Sequence, residues 1–291
     1  MIRAVYPDLG PRRLIVRKLG DRLYNELHWV TSVQEEVGRV VMDHVLVQQS
    51  PPRVALVESA NRVAAGRLAF PEWDRVEVEH QNVPSAQSLR DFLFHDPHDM
   101  ASPGPLQLAV PEPVFALLRR FTQGPHFAPL AEEIAVIERF RASWKAAPYP
   151  PVFVTTDAVV VHSGHLLLVR RAHAPGRGLW ALPGGFVDQE ETVYESCLRE
   201  LREETAFGLS ATALRGALEG QRVFDAPHRS LRGRTITHAF FFHFPEGELP
   251  SIKGGDDAAE ARWFRLARLS GLQEQMFEDH YHIVDWFLGG G

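Results

Sequence analysis

Residues 182–206 read LPGGFVDQEETVYESCLRELREETA, and this stretch decides the fold of the second half of the chain. It opens on a Pro-Gly-Gly turn, and Glu191 follows Gly185 at the sixth position. Residues 192–205 then repeat apolar positions with the period of an α-helix. The apolar stripe of that predicted helix consists of Tyr194, Leu198 and Leu201. We expect Cys197, which lies beside the stripe, to be a small core residue and not a nucleophile.

A separate face of the predicted helix is acidic. At 100° per residue, Glu200, Glu203 and Glu204 fall within about a third of the circumference. Their like charges repel one another, and the helix dipole disfavours negative charge near the helix C-terminus. A bound divalent cation would stabilise this arrangement, and hard oxygen ligands suit Mg²⁺ or Mn²⁺. The alternative is a solvated acidic face paired with Arg199 and Arg202, but the turn and the spacing favour the metal site.

The spacing of these residues resembles the Nudix box, G-x5-E-x7-R-E-U-x-E-E-x-G-U, where U is an aliphatic residue. Every acidic and basic position is filled, and Ala206 stands where the family usually has Gly. The resemblance implies an enzyme that cuts a diphosphate linked to a nucleoside, with Mg²⁺ or Mn²⁺ as cofactor. The metal ligands implied are Gly185, Glu200, Glu203 and Glu204, and the catalytic residues on this helix are Arg199 and Glu200.

The composition is that of an ordinary globular protein, with 45% hydrophobic and 23% charged residues. A length of 291 residues suits two domains. The single cysteine excludes an internal disulfide, so the cytoplasm is the expected compartment. No run is apolar and long enough for a membrane span or a signal-peptide core. A net charge of −6 argues against nucleic acid as a partner.

A domain boundary is predicted at residues 146–151, because three prolines in four positions favour an extended linker. The two predicted domains are 1–145 and 146–291. Just before the boundary, the residue pattern predicts helices at 115–120 and 131–144.

Strand and helix patterns follow the boundary. Residues 152–161 and 165–170 are rich in β-branched and aliphatic side chains and predict a hairpin across Ser163 and Gly164. Further elements are predicted as strands at 235–244 and 261–264 and as a final helix at 272–287. A mixture of short strands and helices predicts an α/β/α sandwich for this half.

The first half of the chain shows weaker patterns. They predict helices at 27–46 and 85–94, the second with a Ser85 cap, and strands at 54–57 and 76–78. Alternating helices and strands predict a smaller, truncated Rossmann-like domain.

The resemblance extends past the box. Residues 147–154, 223–240 and 254–258 are similar to the Nudix half of bifunctional NMN adenylyltransferase/Nudix proteins, a half that is an ADP-ribose pyrophosphatase. Residues 70–73 and 85–90 resemble scattered pieces of the adenylyltransferase half. That chemistry requires the motif G-x-F-x-P-x-H-x-G-H, which the first half lacks. The sequence HSGH at residues 162–165 is interpreted as a hairpin turn. The first domain therefore resembles a degenerate adenylyltransferase without activity.

Several residues outside the box are further candidates for the site. Arg229, Arg232 and Arg234 could bind phosphate or stack on adenine, and the alternative is a solvated basic loop. Asp256 or Asp257, in a Gly-rich loop, could take the proton of the attacking water, and the alternative is a plain turn. Arg170, followed by Arg171 and His173, could contact a terminal ribose phosphate, although a solvated role is the simpler interpretation.

The predicted function is Mg²⁺-dependent hydrolysis of ADP-ribose, or of a related nucleoside diphosphate derivative, to AMP and ribose 5-phosphate. We expect a homodimer. One alternative is a Nudix fold that senses a nucleotide metabolite without catalysis. Another is a Nudix enzyme for a different substrate, such as NADH. The complete acidic set argues against the sensor, because a sensor is free to lose metal ligands.

Overall fold

The computed structural model describes residues 2–11, 13–48, 52–59, 70–79, 85–95 and 110–289. The chain divides into two compact units, residues 1–129 and 130–291. Helix α5 (Phe127–Ser143) begins at the end of the first range and lies mostly in the second. The assignment of a domain boundary at 145/146 stays a prediction.

The first unit combines helices with a parallel pair of strands. Its elements are α1 (Ile2–Val5), α2 (Glu26–Gln48), β1 (Ala55–Ser59), β2 (Asp74–Val78), α3 (Ala86–His95) and α4 (Glu112–Thr122). Ser85 caps α3, because its Oγ accepts a hydrogen bond from the Ser88 amide at 3.0 Å. A small core forms around the buried Leu93 and Phe115. The predicted alternation of helix and strand is confirmed for the described part of this unit.

The second unit contains a larger sheet and its helices. Its elements after α5 are β3 (Val152–His162), β4 (His165–Arg171), β5 (Trp180–Ala181), β6 (Gly184–Phe186), α6 (Val193–Thr205), α7 (Ala211–Gly216), β7 (Leu218–Phe224), β8 (Arg234–Phe244), β9 (Ala258–Arg265), a 3₁₀ helix (Leu266–Gln275) and α8 (His280–Leu288). No described helix has the length and apolar character that a membrane crossing requires.

Strand β3 is the centre of the seven-stranded sheet. It runs parallel to β8 over its whole length and pairs antiparallel with the short β6, where Thr156 lies opposite Gly185. The β3–β4 hairpin turns at Ser163 and Gly164, both with positive φ (46° and 72°), so the predicted turn at HSGH is confirmed. Strand β4 continues the sheet through β9 and β5, and β7 pairs with β8.

The two faces of the sheet are covered by different helices. On β8, Phe240 and Phe242 belong to the core beneath α6, with Leu198, Leu201 and the fully buried Cys197. The intervening Phe241 points to the other face and stacks on Phe287 of α8, with ring centroids 5.4 Å apart. Alternate side chains on a strand point to opposite faces, so one run of phenylalanines serves both layers. The predicted α/β/α sandwich and the core role of Cys197 are confirmed.

The predicted helix at 272–287 is wrong in its first half. A 3₁₀ helix ends at Gln275, Met276 is extended, and α8 begins only at His280. The Phe277 amide donates to the Trp180 carbonyl at 2.8 Å, and Glu278 has a φ of 44°. A tertiary backbone contact therefore overrides the helical pattern, and it places Phe277 and Glu278 at the candidate site.

Candidate active site

Helix α6 is fixed at both ends. Thr192 and Glu195 form a capping box: the Thr192 Oγ1 accepts from the Glu195 amide at 3.3 Å, and Glu195 accepts from the Thr192 amide at 2.9 Å. At the other end Ala206 adopts the left-handed conformation, with φ 52° and ψ 30°. The helix thus presents Glu200 and Glu204, one turn apart and both buried, to the interior.

The Pro-Gly-Gly turn packs directly against this acidic face. The Gly184 amide donates to the Glu204 Oε2 at 2.9 Å. A Cβ atom at Gly184 would lie 2.1 Å from the Thr156 carbonyl oxygen, and one at Gly185 would lie 2.4 Å from the Glu200 Oε1. Gly184 has no room for a side chain because it meets backbone, whereas a side chain at Gly185 would require the Glu200 carboxylate to move away from the turn.

Arg199 joins several acidic groups of the box. Its Nε and Nη2 bind both oxygens of Glu191, at 3.0 and 2.7 Å. Its Nη1 donates to Glu200 at 2.8 Å and to Glu203 at 3.0 Å. Hydrogen bonding from Arg199 lowers the pKa of Glu191 to about 2. The arginine therefore orients these three carboxylates.

A cavity of about 270 Å³ lies between the acidic face of α6, the sheet and the loops that follow the strands. Its lining combines acidic groups with four arginines and with backbone of the Pro-Gly-Gly turn. The charged lining residues are Asp157, Arg171, Asp188, Arg199, Glu200, Glu204, Arg229, Arg232, Asp256, Asp257 and Glu278. A cavity with both carboxylates and guanidiniums can hold a cation and an anionic ligand together.

Burial raises the pKa of three carboxyl groups of this cavity and so makes them hard to ionise. It raises the pKa of Glu204 to about 8, and the neighbouring charge of Glu200 adds to the effect. Burial likewise raises the pKa of Glu200 and of Asp157. Such groups become favourable as carboxylates only when a positive charge is near them.

A polar network supports the opposite wall. Asp157 accepts from the Thr237 hydroxyl at 2.6 Å. The His280 Nδ1 accepts from the Leu182 amide at 2.9 Å, and burial lowers the pKa of His280 to about 3, which keeps the ring neutral. Arg229 makes two 2.8 Å hydrogen bonds to Asp279, and both side chains are 3% exposed. This pair fixes the start of α8 beside the cavity.

Most of the candidate residues from the sequence lie at this one cavity. They are Gly185, Arg199, Glu200, Glu204, Arg229, Arg232, Asp256 and Asp257. Three others lie outside its lining. The Glu203 side chain is 46% exposed and pairs with Arg199, Arg234 hydrogen-bonds the Asp225 carbonyl, and Arg170 donates to the Gly178 carbonyl at 3.2 Å.

Arg171, which was named with Arg170 and His173 as a possible ribose-phosphate contact, lines the cavity, whereas Arg170 does not. The cavity also contains residues that were not expected at the site. Asp157 lies within an apolar strand, where a lone carboxylate was a usable signal. Phe277 and Glu278 come from the turn that the sequence pattern assigned to a helix, and His280 is the first residue of α8, so no sequence signal placed them here.

The donor set fits a hard divalent cation. Among residues that the structure describes, no three carboxylate, imidazole or thiolate groups already converge on one point. Glu200 and Glu204 nonetheless place two buried carboxylates one helical turn apart, with a raised pKa in each case. Carboxylate oxygens are the ligands preferred by Mg²⁺ and Mn²⁺.

The comparisons with known proteins agree with this fold. Residues 152–287 match the family model described as the NUDIX domain. An ADP-ribose pyrophosphatase from Methanocaldococcus jannaschii is 37% identical over 130 residues, which are 44% of this chain and 72% of that protein. An ADPR responsive transcriptional repressor from Acinetobacter baylyi is 36% identical over 110 residues, but the chain spans only 42% of its length.

A solved structure matches both halves of the chain. It is a bifunctional NMN adenylyltransferase/ADP ribose pyrophosphatase from Francisella tularensis, complexed with AMP and a Mn ion. The two are 30% identical with a TM-score of 0.85, and the match covers 99% of this chain and 82% of that chain. The chain therefore belongs to the Nudix family. Its C-terminal half is a Nudix domain, and the protein is a Nudix hydrolase.

Proposed function

We propose that this hydrolase cleaves the diphosphate of ADP-ribose, in a reaction that depends on Mg²⁺ or Mn²⁺, to give AMP and ribose 5-phosphate. The observation that carries the proposal is the placement of Glu200 and Glu204 in one cavity with Arg171 and Arg232. The carboxylates suit the cation, and the guanidiniums suit the two phosphates. The names of the Methanocaldococcus and Francisella relatives support ADP-ribose as substrate.

The metal would be held by Glu200 and Glu204, with the Gly185 carbonyl and Glu203 as further candidate ligands. When bound, a divalent cation offsets charge on the phosphates and makes water a better nucleophile. Side chains of the protein position the substrate and accept the proton of the attacking water. Arg199 holds Glu200 in place, Arg171 and Arg232 orient the diphosphate, and Asp256, Asp257 or Glu200 takes the proton from water as the P–O bond breaks.

The test is hydrolysis of ADP-ribose by the purified chain in Mg²⁺, in Mn²⁺ and with a chelator. Glu204→Gln should lower the rate at least roughly a hundredfold while the protein stays folded, because a major electrostatic contributor is lost. The exposed Glu190→Gln is the matched control and should keep its rate. A near-normal rate for Glu204→Gln, or full activity in the chelator, would refute the metal assignment. NADH, other nucleoside diphosphate sugars and dinucleoside polyphosphates, run in parallel, test the choice of substrate.

We further propose that the first unit has no NMN adenylyltransferase activity. The support is the absence of G-x-F-x-P-x-H-x-G-H from residues 1–145, since the histidines of that motif stabilise the transferring phosphates. Incubation with NMN and ATP should yield no NAD. Formation of NAD by the purified chain would contradict this proposal.

A further inference from the structure

Helix α5 lies outside the matched Nudix range of 152–287, yet its Phe140 packs on Phe186, which lines the cavity. Its Glu133 carboxylate binds two consecutive backbone amides in the loop between β4 and β5. The Gly176 amide donates to Oε2 at 2.6 Å, and the Arg177 amide donates to Oε1 at 3.3 Å. A carboxylate that receives two amide hydrogen bonds holds a loop more firmly than a neutral side chain does.

The same loop also contacts the Arg171 side chain. The Arg171 Nε donates to the Pro175 carbonyl at 2.8 Å, immediately before the residue that Glu133 binds. The guanidinium lies over the Phe277 ring, 4.2 Å from its centroid. Gly176 packs so closely on that ring that an added Cβ atom would be 2.3 Å from it. Arg171 and Phe277 both line the cavity.

These contacts form a continuous chain from α5 to the cavity. We propose that Glu133 is a positioning residue: it holds the loop at Pro175–Arg177, and through that loop it fixes the Arg171 guanidinium in the cavity. The proposal rests on the proposed function, in which Arg171 orients the diphosphate of the substrate. Glu133 itself touches the loop backbone and acts only through Arg171.

The adjacent acidic residue provides a matched control. Glu132 pairs with the Arg177 guanidinium at 3.2 Å, with the two side chains 54% and 55% exposed. Exposed pairs of this kind contribute little to stability. Glu132→Gln therefore removes the same charge from the same helix turn without releasing the loop amides.

A double-mutant cycle tests the proposal through kcat and KM for ADP-ribose in wild type, Glu133→Ala, Arg171→Ala and the double variant. Glu133→Ala should lower kcat/KM roughly 5- to 20-fold, and the double variant should be no slower than Arg171→Ala alone, as expected for coupled residues. Glu133→Gln, which keeps one acceptor oxygen, should lie between Glu133→Ala and wild type. Glu132→Gln should match wild type. Additive losses in the cycle would overturn the proposal.

Amide hydrogen exchange provides a readout that does not need turnover. Glu133→Ala should speed exchange at Gly176 and Arg177 more than at Gly178, whose amide donates to the Arg171 carbonyl at 2.9 Å. Arg171→Ala should also speed it, without adding to the Glu133→Ala effect. Unchanged exchange at Gly176 and Arg177 overturns the positioning role. If the wild-type protein fails to hydrolyse ADP-ribose, only the proposed function is refuted. The exchange rates of the Glu133→Ala and Arg171→Ala variants still test the positioning role.

Discussion

Two adjacent aspartates are alternatives to Glu200 as the general base. Asp256 and Asp257 both line the cavity, and Asp256 has a φ of 49°. Asparagine tolerates this conformation well, so Asp256→Asn tests the chemistry without disturbing the backbone. We expect one of the two Asn variants to lower kcat at least roughly tenfold with nearly unchanged Mg²⁺ affinity. Unchanged kcat in both variants, measured with the metal dependence of each, would assign the base to Glu200.

His280 is buried and neutral, so we expect the free energy of unfolding to fall in acid. The pKa of His280 falls from 6.5 to about 3 on folding because of burial. Between these values the unfolded state binds a proton that the folded state excludes, so acidification favours unfolding. This contribution to stability is present above pH 6.5 and is lost as the pH falls.

The measurement is the free energy of unfolding at pH 7 and pH 5 for wild type and His280→Gln. Wild type should lose about 1–2 kcal/mol more than the variant over this range. The exposed His126→Gln is the control and should behave as wild type. Equal losses in wild type and His280→Gln would mean that this ring does not stay neutral in the folded protein.

At the scale of the element, the end of helix α6 departs from the family pattern in a way that costs stability. Ala206 has a φ of 52°, a conformation in which a Cβ atom is unfavourable. Ala206→Gly should therefore raise the free energy of unfolding by about 0.5–1 kcal/mol. The same substitution at the exposed Ala213 within α7 should lower it by up to about 1 kcal/mol. Thermal or denaturant unfolding of both variants measures these changes. Destabilisation by Ala206→Gly would contradict the explanation that the left-handed backbone of Ala206 is strained.

Elements differ in how far their own sequence determines them. Strand β8 was predictable because it is rich in β-branched and aromatic side chains, and its phenylalanine run packs on both faces of the sheet. Helix α6 was predictable from its capping box and its apolar stripe. The turn at Phe277 and Glu278 was not, because its conformation depends on a hydrogen bond to Trp180, nearly a hundred residues earlier in the chain. Strand β7 was missed because its half-buried positions include Gly220 and Arg222, so the sequence shows no clear apolar alternation.

At the scale of the whole molecule, the sequence located the box side of the cavity and some residues of the other walls, such as Arg229 and Arg232, but not Glu278 and His280. The box residues are contiguous, so their spacing alone brings Glu200 and Glu204 together. The opposite wall combines Arg171 and His280, which only the topology of the sheet makes neighbours. The predicted loss of adenylyltransferase activity in the first unit depended on a family resemblance. Its basis is a family motif that residues 1–145 lack, and residue patterns alone would not have indicated it.

The path of helix α5 bears on where the chain can be divided. A protease or a cloning boundary aimed at the proline-rich segment would separate Glu133 and Phe140 from the sheet. Phe140 packs on Phe153 and Phe186, with ring centroids 5.2 and 6.1 Å apart. A fragment of residues 148–291 should thus melt at least about 5 °C below a fragment of residues 127–291, since aromatic pairs of this kind are lost. Calorimetry of the two fragments checks this, and equal melting temperatures would mean that α5 is dispensable. If the longer fragment is the more stable one, the autonomous folding unit is longer than the matched Nudix range, and its N-terminal limit lies about 25 residues before the start of β3.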